Sequence, residues 1–285
     1  GGGATTWAAI TDINNAAGPT LIAIGNLAGA TSQGASSVAI GDRAGETGQG
    51  GEDGYAVAIG ELAGNANQGD YAVAIGSQCG ETNQAGWAVA IGNLAGQTTQ
   101  GDQAVAIGLS AGQTTQGGAS IAIGEDAGKT TQGEYAVAIG SGAGQITQGD
   151  EAIAIGDIAG KTNQGTRAIA IGLYAGNANQ ATEAVAIGDR AGQTTQGAYA
   201  VAIGDVAGYN SQATAAVAIG RLAGETNQGV NTIAIGQGAG KTTQGTNAIA
   251  IGQEAGKTTQ AANSIVLNAT GSAVENTTAS SLVIK

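Results

Sequence analysis

Short apolar segments recur along almost the whole chain, and each alternates β-branched residues with alanine. The typical segment is Ala-Val/Ile-Ala-Ile-Gly; Ile precedes the glycine, Ala stands two before it, and Val or Ile stands three before it in every copy. Because side chains alternate along a strand, this pattern predicts a short strand with one β-branched face and one alanine face. The motif glycines are Gly25, Gly41, Gly60, Gly76, Gly92, Gly108, Gly124, Gly140, Gly156, Gly172, Gly188, Gly204, Gly220, Gly236 and Gly252.

Small and polar residues follow each segment at equally fixed positions. Ala, or once Cys79, stands three residues after the motif glycine, Gly stands four after it, and Gln stands eight after it in every copy. Thr is the commonest residue six after the glycine and would share a strand face with the glutamine. A second short strand, Thr-x-Gln, is therefore predicted in each repeat.

The spacing of the motif defines the fold class. Successive motif glycines are 16 residues apart, except that Gly41 and Gly60 are 19 apart, which predicts an inserted loop at Gly51 to Asp53. Two short strands and two glycine turns in 16 residues predict one coil of an all-β parallel solenoid, or β-roll. With a degenerate last copy ending at Asn268, the sequence predicts about sixteen coils over residues 21–268. Residues 1–20, with Trp7 and Pro19, and residues 269–285 are predicted to cap or connect the solenoid.

Stacked coils would place equivalent side chains about 4.8 Å apart, in rows along the solenoid. A row of glutamines can hydrogen-bond amide to amide and can also satisfy turn carbonyls, which explains the invariance of the residue without catalysis. We therefore predict a buried structural ladder. Its representative members are Gln100, Gln116, Gln132 and Gln148.

A coil this thin has room for only one strand face in its interior. The invariant alanines suit that interior, so Val and Ile would point outward and form an apolar stripe larger than soluble monomers usually show. The stripe predicts an obligate oligomer. The inverted arrangement, with Val and Ile inside, leaves the invariant alanines unexplained. The predicted interface residues are Val57, Ile59, Val105, Ile107, Val137, Ile139, Val185 and Ile187.

Composition and charge argue against several functions. The chain has no His and one Cys, which removes the usual Ser-His-Asp, Cys-His and His/Cys zinc sites, so we predict no enzyme activity, cofactor or metal. The net charge is −12 without a basic cluster, which argues against nucleic acid, and no apolar run predicts membrane insertion. The carboxylates are interpreted as a solvated face, and Cys79 as a small buried substitute for Ala.

Aromatic residues are rare but concentrated. Five of the eight stand five residues before a motif glycine, and Tyr55, Tyr71 and Trp87 do so in three successive coils, with Tyr135 and Tyr199 further along. Three rings in a row would offer a platform for sugars, or would stack on one another and shield the strand edge. The three residues are therefore a candidate ligand-binding site.

The repeated motifs carry a family resemblance. Ala-Val-Ala-Ile-Gly followed by Ala-Gly resembles the head repeat of trimeric autotransporter adhesins, and Ala-Gly-x-Thr-x-Gln-Gly resembles repeats in phage and large-virus fibre proteins. The heads of those adhesins are left-handed parallel β-rolls assembled from three chains. The resemblance thus implies a left-handed β-roll and a homotrimer.

These observations predict a structural and adhesive fibre or head module on a cell or virion surface, hence extracellular. It would be a rigid oligomeric rod that presents a surface for a receptor or glycan. The alternative is a protein that binds ice or another crystal surface through two threonine rows, six and seven residues after the motif glycine. Asn, Ser and Gly interrupt the row at the seventh position. The threonine rows include Thr98–Thr99, Thr114–Thr115 and Thr130–Thr131.

Overall fold

The computed structural model describes residues 21–285, and its regular elements are short β-strands paired in parallel. The described residues fall into two compact units, residues 21–130 and Thr131–Lys285. The described residues contain no helix, so the predicted all-β class is confirmed. The predicted N-terminal cap, with Trp7 and Pro19, lies outside the described residues.

The first unit contains two parallel sheets, one on each side of the interior of its coils. Its Val/Ile-Ala-Ile strands form the apolar sheet, in the order β1-β2-β4-β6-β8-β10-β12. Its glutamine-ended strands form the glutamine sheet, in the order β3-β5-β7-β9-β11. The strands are β1 (Ile22–Ile24), β2 (Val38–Ile40), β3 (Thr47–Gln49), β4 (Val57–Ile59), β5 (Ala66–Gln68), β6 (Val73–Ile75), β7 (Thr82–Gln84), β8 (Val89–Ile91), β9 (Thr99–Gln100), β10 (Val105–Ile107), β11 (Thr115–Gln116) and β12 (Ile121–Ile123).

The second unit repeats this arrangement. Its apolar sheet has the order β14-β16-β18-β20-β21-β23-β25-β27-β29-β31. Its glutamine strands form the series β13-β15-β17-β19 and β22-β24-β26-β28-β30, and isolated bridges at Gln196 join the two series. The strands are β13 (Thr131–Gln132), β14 (Val137–Ile139), β15 (Thr147–Gln148), β16 (Ile153–Ile155), β17 (Thr162–Gln164), β18 (Ile169–Ile171), β19 (Ala178–Gln180), β20 (Val185–Ile187), β21 (Val201–Ile203), β22 (Asn210–Gln212), β23 (Val217–Ile219), β24 (Thr226–Gln228), β25 (Ile233–Ile235), β26 (Thr243–Gln244), β27 (Ile249–Ile251), β28 (Ala255–Gln260), β29 (Ile265–Leu267), β30 (Val274–Asn276) and β31 (Leu282–Ile284).

Equivalent residues pair with one another from coil to coil. In the apolar sheet Val57 pairs with Val73 and Ile59 with Ile75, and in the glutamine sheet Gln68 pairs with Gln84. Within each unit the motif segments keep this register, because a slip by one residue would exchange the alanine face for the β-branched face. This parallel stacking confirms the predicted β-solenoid.

The motif glycine allows neighbouring coils to approach closely. Gly108 has a φ of +130°, and a Cβ atom built on it would lie 2.7 Å from the carbonyl oxygen of Gly124 in the next coil. Backbone of this φ favours glycine, and a contact this short would push the coils apart. The invariance of the motif glycine therefore follows from coil stacking.

The interior of each coil is lined by alanine. Ala56, Ala58 and Ala63 are fully buried, whereas Val57 and Ile59 are half-buried on the opposite face of the strand. The inverted arrangement considered from the sequence is therefore wrong. A glutamine side chain fills the other side of the interior, so these positions hold small groups, chiefly Ala and once Cys79. The larger Val266 is fully buried in the coil where the shorter Asn276 replaces the glutamine.

Each interior glutamine connects the two sheets. Nε2 of Gln84 donates to the carbonyl oxygens of Val73 (2.9 Å) and Ala88 (3.4 Å) and to Oε1 of Gln100 (3.1 Å). Oε1 of Gln84 in turn accepts from Nε2 of Gln68 (3.1 Å). The side chain thus bonds within its own coil and to both neighbours.

The segment predicted as a C-terminal cap or connector, residues 269–285, stacks on the preceding coil. Strand β31 pairs with β29, matching Leu282 to Ile265. Asn276 occupies the position of the glutamine, and its Nδ2 donates to the carbonyl oxygen of Ile265 (3.3 Å). A shorter amide therefore makes the equivalent cross-sheet bond.

We predict that Gly108→Ala prevents normal stacking of its coil, at a cost of about 3 kcal/mol in the free energy of unfolding. The matched control is Gly118→Ala, because a Cβ atom there meets only the Asp102 carbonyl oxygen at 3.5 Å. Thermal unfolding followed by circular dichroism at one protein concentration compares the two variants. Equal melting temperatures would contradict the close-approach explanation.

We also predict that Gln84→Leu lowers the free energy of unfolding by about 1–3 kcal/mol, because Val73, Ala88 and Gln100 each lose a buried hydrogen-bond donor. Chemical denaturation is the measurement. The control is Gln237→Leu, an exposed glutamine one residue after a motif glycine. A Gln84 variant as stable as this control would show that the ladder contributes nothing.

Candidate functional site

The predicted aromatic site lies on a row that every coil presents in the same way. We call the residues five positions before the motif glycines the display row. At Tyr55, Tyr71 and Trp87 the backbone is left-handed, with φ of 54° to 61°. The Tyr71 amide donates to the Gly54 carbonyl oxygen (3.0 Å), so each display residue is fixed to the preceding coil by its backbone. The residue type at this position therefore differs from coil to coil.

The three predicted aromatic residues come together in a single stack. The ring centroids of Tyr55 and Tyr71 are 5.1 Å apart with an interplanar angle of 10°, and those of Tyr71 and Trp87 are 5.6 Å apart at 4°. Tyr55, Tyr71 and Trp87 are 52 %, 41 % and 57 % exposed, respectively. Both faces of the Tyr71 ring are covered by its neighbours. The stack thus presents mainly ring edges along its length, and a ring face without an aromatic neighbour only at its two ends.

This arrangement stores backbone strain. Left-handed backbone is disfavoured for bulky residues, by roughly 1–2 kcal/mol per residue relative to the right-handed region. An aromatic pair contributes about 0.5–1.5 kcal/mol beyond its buried area. Display residues without rings, such as Gln103 and Ala119, have the same left-handed backbone, so the strain belongs to the position. Stacking offsets part of it in the coils that carry rings.

Two carboxylates are fixed beside the stack. Oδ1 of Asp70 accepts from the amides of Asp53 and Gly54, both at 2.9 Å. Oδ1 of Asp102 accepts from the Gly86 amide at 3.0 Å, directly before Trp87. From the sequence alone, these carboxylates are interpreted as part of a solvated face. Their position in the sequence indicates their closeness to the rings, because each immediately precedes a display residue. Asp70 precedes Tyr71, within the stack, and Asp102 precedes Gln103, one coil beyond it.

The insertion predicted at Gly51 to Asp53 forms a turn next to this site. Glu52 and Asp53 are exposed, and the bonds from Asp70 hold the end of the turn at Gly54. Tyr55 follows at once. The three inserted residues are therefore hydrogen-bonded to the coil of Tyr71 and lie beside the first ring of the stack.

The predicted interface residues all lie on the outer face of the apolar sheets. They are half-buried in the single chain, apart from Ile139, which is exposed: Val57, Ile59, Val105, Ile107, Val137, Ile139, Val185 and Ile187. The isoleucine just before the motif glycine is 36–41 % exposed in the coils where it is most open, which are those of Ile24, Ile75, Ile91, Ile123, Ile139, Ile219, Ile235 and Ile251. The outer face is thus apolar and partly open to solvent.

The predicted ladder glutamines are in the interior. Gln100, Gln116, Gln132 and Gln148 are almost completely buried, and amide-to-amide bonds of 3.1 Å join Gln100 to Gln116 and Gln132 to Gln148. Because the backbone of each coil separates them from solvent, they are not accessible to a ligand in the folded chain.

The threonine rows are exposed but do not share one backbone conformation. Thr98 and Thr99 are both exposed, and strand β9 begins only at Thr99. One coil earlier Asn83 occupies the second position with a φ of +55°, and strand β7 begins one residue sooner, at Thr82. Asn adopts left-handed backbone readily, whereas β-branched Thr does not. The alternation between Thr and Asn therefore breaks the regularity of these rows.

Cys79 is a small interior residue, as the sequence indicated. It is fully buried in the position that Ala occupies in other coils, and its Sγ donates to the Gly76 carbonyl oxygen at 3.1 Å. Burial raises the pKa of the thiol to about 12. Among residues 21–285, no cluster of three or more His, Cys, Asp or Glu residues could hold a metal ion, and no helix is long and apolar enough to cross a membrane.

One comparison with known proteins finds a match. The family model for the YadA head domain repeat matches residues 228–255, in two copies. The matched residues include strands β25 and β26 and the glutamines at 228 and 244. Together with the parallel solenoid, this match confirms the resemblance to adhesin head repeats. No curated protein matches the chain.

We predict that Cys79 resists thiol reagents in the folded chain. Because burial raises its pKa to about 12, the reactive thiolate is scarce at pH 8, and the coil wall excludes the reagent. Labelling with a disulfide reagent should proceed only after denaturation. Stoichiometric labelling of the native protein at pH 8 would contradict the buried position.

Proposed function

We propose that the chain is a non-catalytic adhesive module of a cell or virion surface, assembled as a homotrimer of left-handed β-rolls through its apolar sheets. The observation that carries the proposal is the outer Val/Ile face. It continues from coil to coil within each unit and is left partly exposed by the single chain. The match to the YadA head domain repeat supports the surface role.

The energetics favour association through this face. Covering a branched side chain contributes about 1.5 kcal/mol or more when it is fully buried, and each chain offers two such residues per coil. These residues are half-buried already, so each adds only part of that amount. Summed over many coils, the gain still exceeds the roughly 4–15 kcal/mol cost of association. A contiguous apolar surface of this kind is typical of interfaces and rare on monomers.

The trimeric state and the extracellular location of the protein are proposed from the resemblance to adhesin heads. Heads built from such repeats are trimeric and displayed outside the cell, and the fibre-protein resemblance extends the same role to a virion. The partner would be a surface receptor or glycan, contacted on the display row. No nucleic acid is expected, because the chain is acidic and has no basic cluster.

Ice or crystal binding stays the alternative prediction. Exposed threonine pairs such as Thr98–Thr99 and Thr114–Thr115 favour it. The change of backbone conformation at Asn67 and Asn83 works against it, because an ordered surface requires an unbroken array.

The test of the proposal is the oligomeric state of the wild-type chain and of the Val105→Asp, Ile107→Asp double variant. We expect the wild type to sediment at three times its chain mass, and the variant to lose assembly because two carboxylates would enter an apolar interface. Thr115→Asp is the control, since Thr115 is exposed on the glutamine sheet. The milder Ile107→Thr keeps a β-branched residue and should weaken the assembly in proportion. A stable wild-type monomer in dilute solution would overturn the proposal.

A further inference from the structure

We propose that the Trp87 end of the aromatic stack binds a cationic side chain, an ammonium or guanidinium carried by a basic peptide segment of the partner. The site consists of the Trp87 ring face that has no aromatic neighbour and the carboxylate of Asp102. This inference rests on the proposed surface role and specifies the chemistry of the partner.

The stacking geometry decides which part of the aromatic row is available. Tyr71 lies between two nearly parallel rings, at centroid distances of 5.1 and 5.6 Å, so a neighbouring ring stacks against each of its faces. A sugar that packs against aromatic residues needs an open ring face, so the inner part of the stack offers it only edges. The ring edge carries partial positive charge and the face partial negative charge, and a cation therefore seeks a face.

Trp87 is the last ring of the stack and is 57 % exposed. The next display residue is Gln103, which has no ring and is exposed, and its amide donates to the Gly86 carbonyl oxygen (3.0 Å) in the coil of Trp87. No ring therefore covers this side of the indole. Trp is the aromatic side chain that attracts cations most strongly.

Asp102 places negative charge on the same side. Its Oδ1 is held by the amide of Gly86, the residue that precedes Trp87, at 3.0 Å. A carboxylate accepts hydrogen bonds through both oxygens, so this contact orients the group and leaves Oδ2 for an incoming donor. A cation above the indole face would therefore meet a carboxylate that the backbone already positions.

The charge of the first unit complements such a ligand. Residues 21–130 contain ten carboxylates and two cationic side chains, giving −8, whereas residues 131–285 have a net charge of only −3. Both cations of residues 21–130 are already paired, Arg43 with Glu46 (2.7 Å) and Lys129 with Asp126 (2.9 Å). A field of this sign steers cationic partners and disfavours anionic ones.

The second unit provides an internal comparison on the same display row. There Glu183 is paired with Arg167 of the preceding coil, at 2.7 Å. A carboxylate beside the display residue Tyr199 is thus already satisfied by a guanidinium of the chain itself. Tyr199 is exposed but has no counterpart of Asp102, since the residue before the next display position is Thr214. It serves as the matched control.

A single exposed cation–aromatic contact is weak, so the inferred ligand carries several positive charges. The probe is a dye-labelled hexa-arginine peptide, titrated against the full chain on a Trp7→Phe background and followed by anisotropy. Trp87 emission reports contact at the site. We expect binding that quenches Trp87 and weakens more than tenfold as salt rises from low to high concentration.

The variants test the site itself. Trp87→Ala and Asp102→Asn should each weaken binding about 3- to 10-fold, and Tyr199→Ala should leave it unchanged. Binding by all variants alike would show unspecific attraction to an acidic surface and would overturn the inference. The inference would also be overturned if neutral maltohexaose bound in a way that depends on Trp87 but not on salt, because the site would then recognise a sugar.

Sedimentation of each variant separates this inference from the proposed assembly. A trimer that fails to bind the peptide at Trp87 overturns the cationic site alone. A monomer that binds it overturns the assembly alone.

Discussion

The narrow gap between the two sheets of each coil is the constraint on which the rest of the structure depends. It admits alanine methyls from one sheet and a glutamine side chain from the other. Because the glutamine leaves little room beside it, the β-branched residues of the repeated apolar strands lie on the outside, and Val266 is buried only where Asn276 replaces the glutamine. A fold whose interior is this small obtains its cohesion from backbone pairing, from the glutamine bonds and from whatever covers its outer face.

The glutamine sustains this narrow interior because it fills volume and supplies hydrogen-bond donors at once. The glycine four residues after the motif glycine makes room for it: a Cβ atom on Gly64 would lie 2.7 Å from Cδ of Gln68. A leucine of similar size would occupy the space but would leave the Val57 carbonyl oxygen without the donor that Gln68 provides at 2.9 Å. Glycine and glutamine are therefore invariant together.

Most of the fold was predictable from internal repetition, because fifteen copies show which residue types each position tolerates. The alanine interior, the two strands per coil and the turn at Gly51 to Asp53 follow from that comparison. Positions that tolerate many residues carry no such information. The left-handed backbone of the display row was hidden for this reason, since Tyr, Trp, Glu, Arg and Ala all occupy it. The aromatic row itself was evident, but the ring orientation that closes the faces of Tyr71 and the contact between Asp102 and Gly86 depend on three-dimensional placement.

The 16-residue coil also has a genetic consequence. Removing residues 93–108 would join Gly92 to Leu109 and leave the next motif glycine, Gly124, at the same interval. Because each coil contacts only its neighbours, recombination between copies can lengthen or shorten the array by whole coils while every remaining pair keeps its register. Natural variants of such a gene should therefore differ by multiples of 48 nucleotides, and smaller insertions should be confined to turns such as the one beside Tyr55.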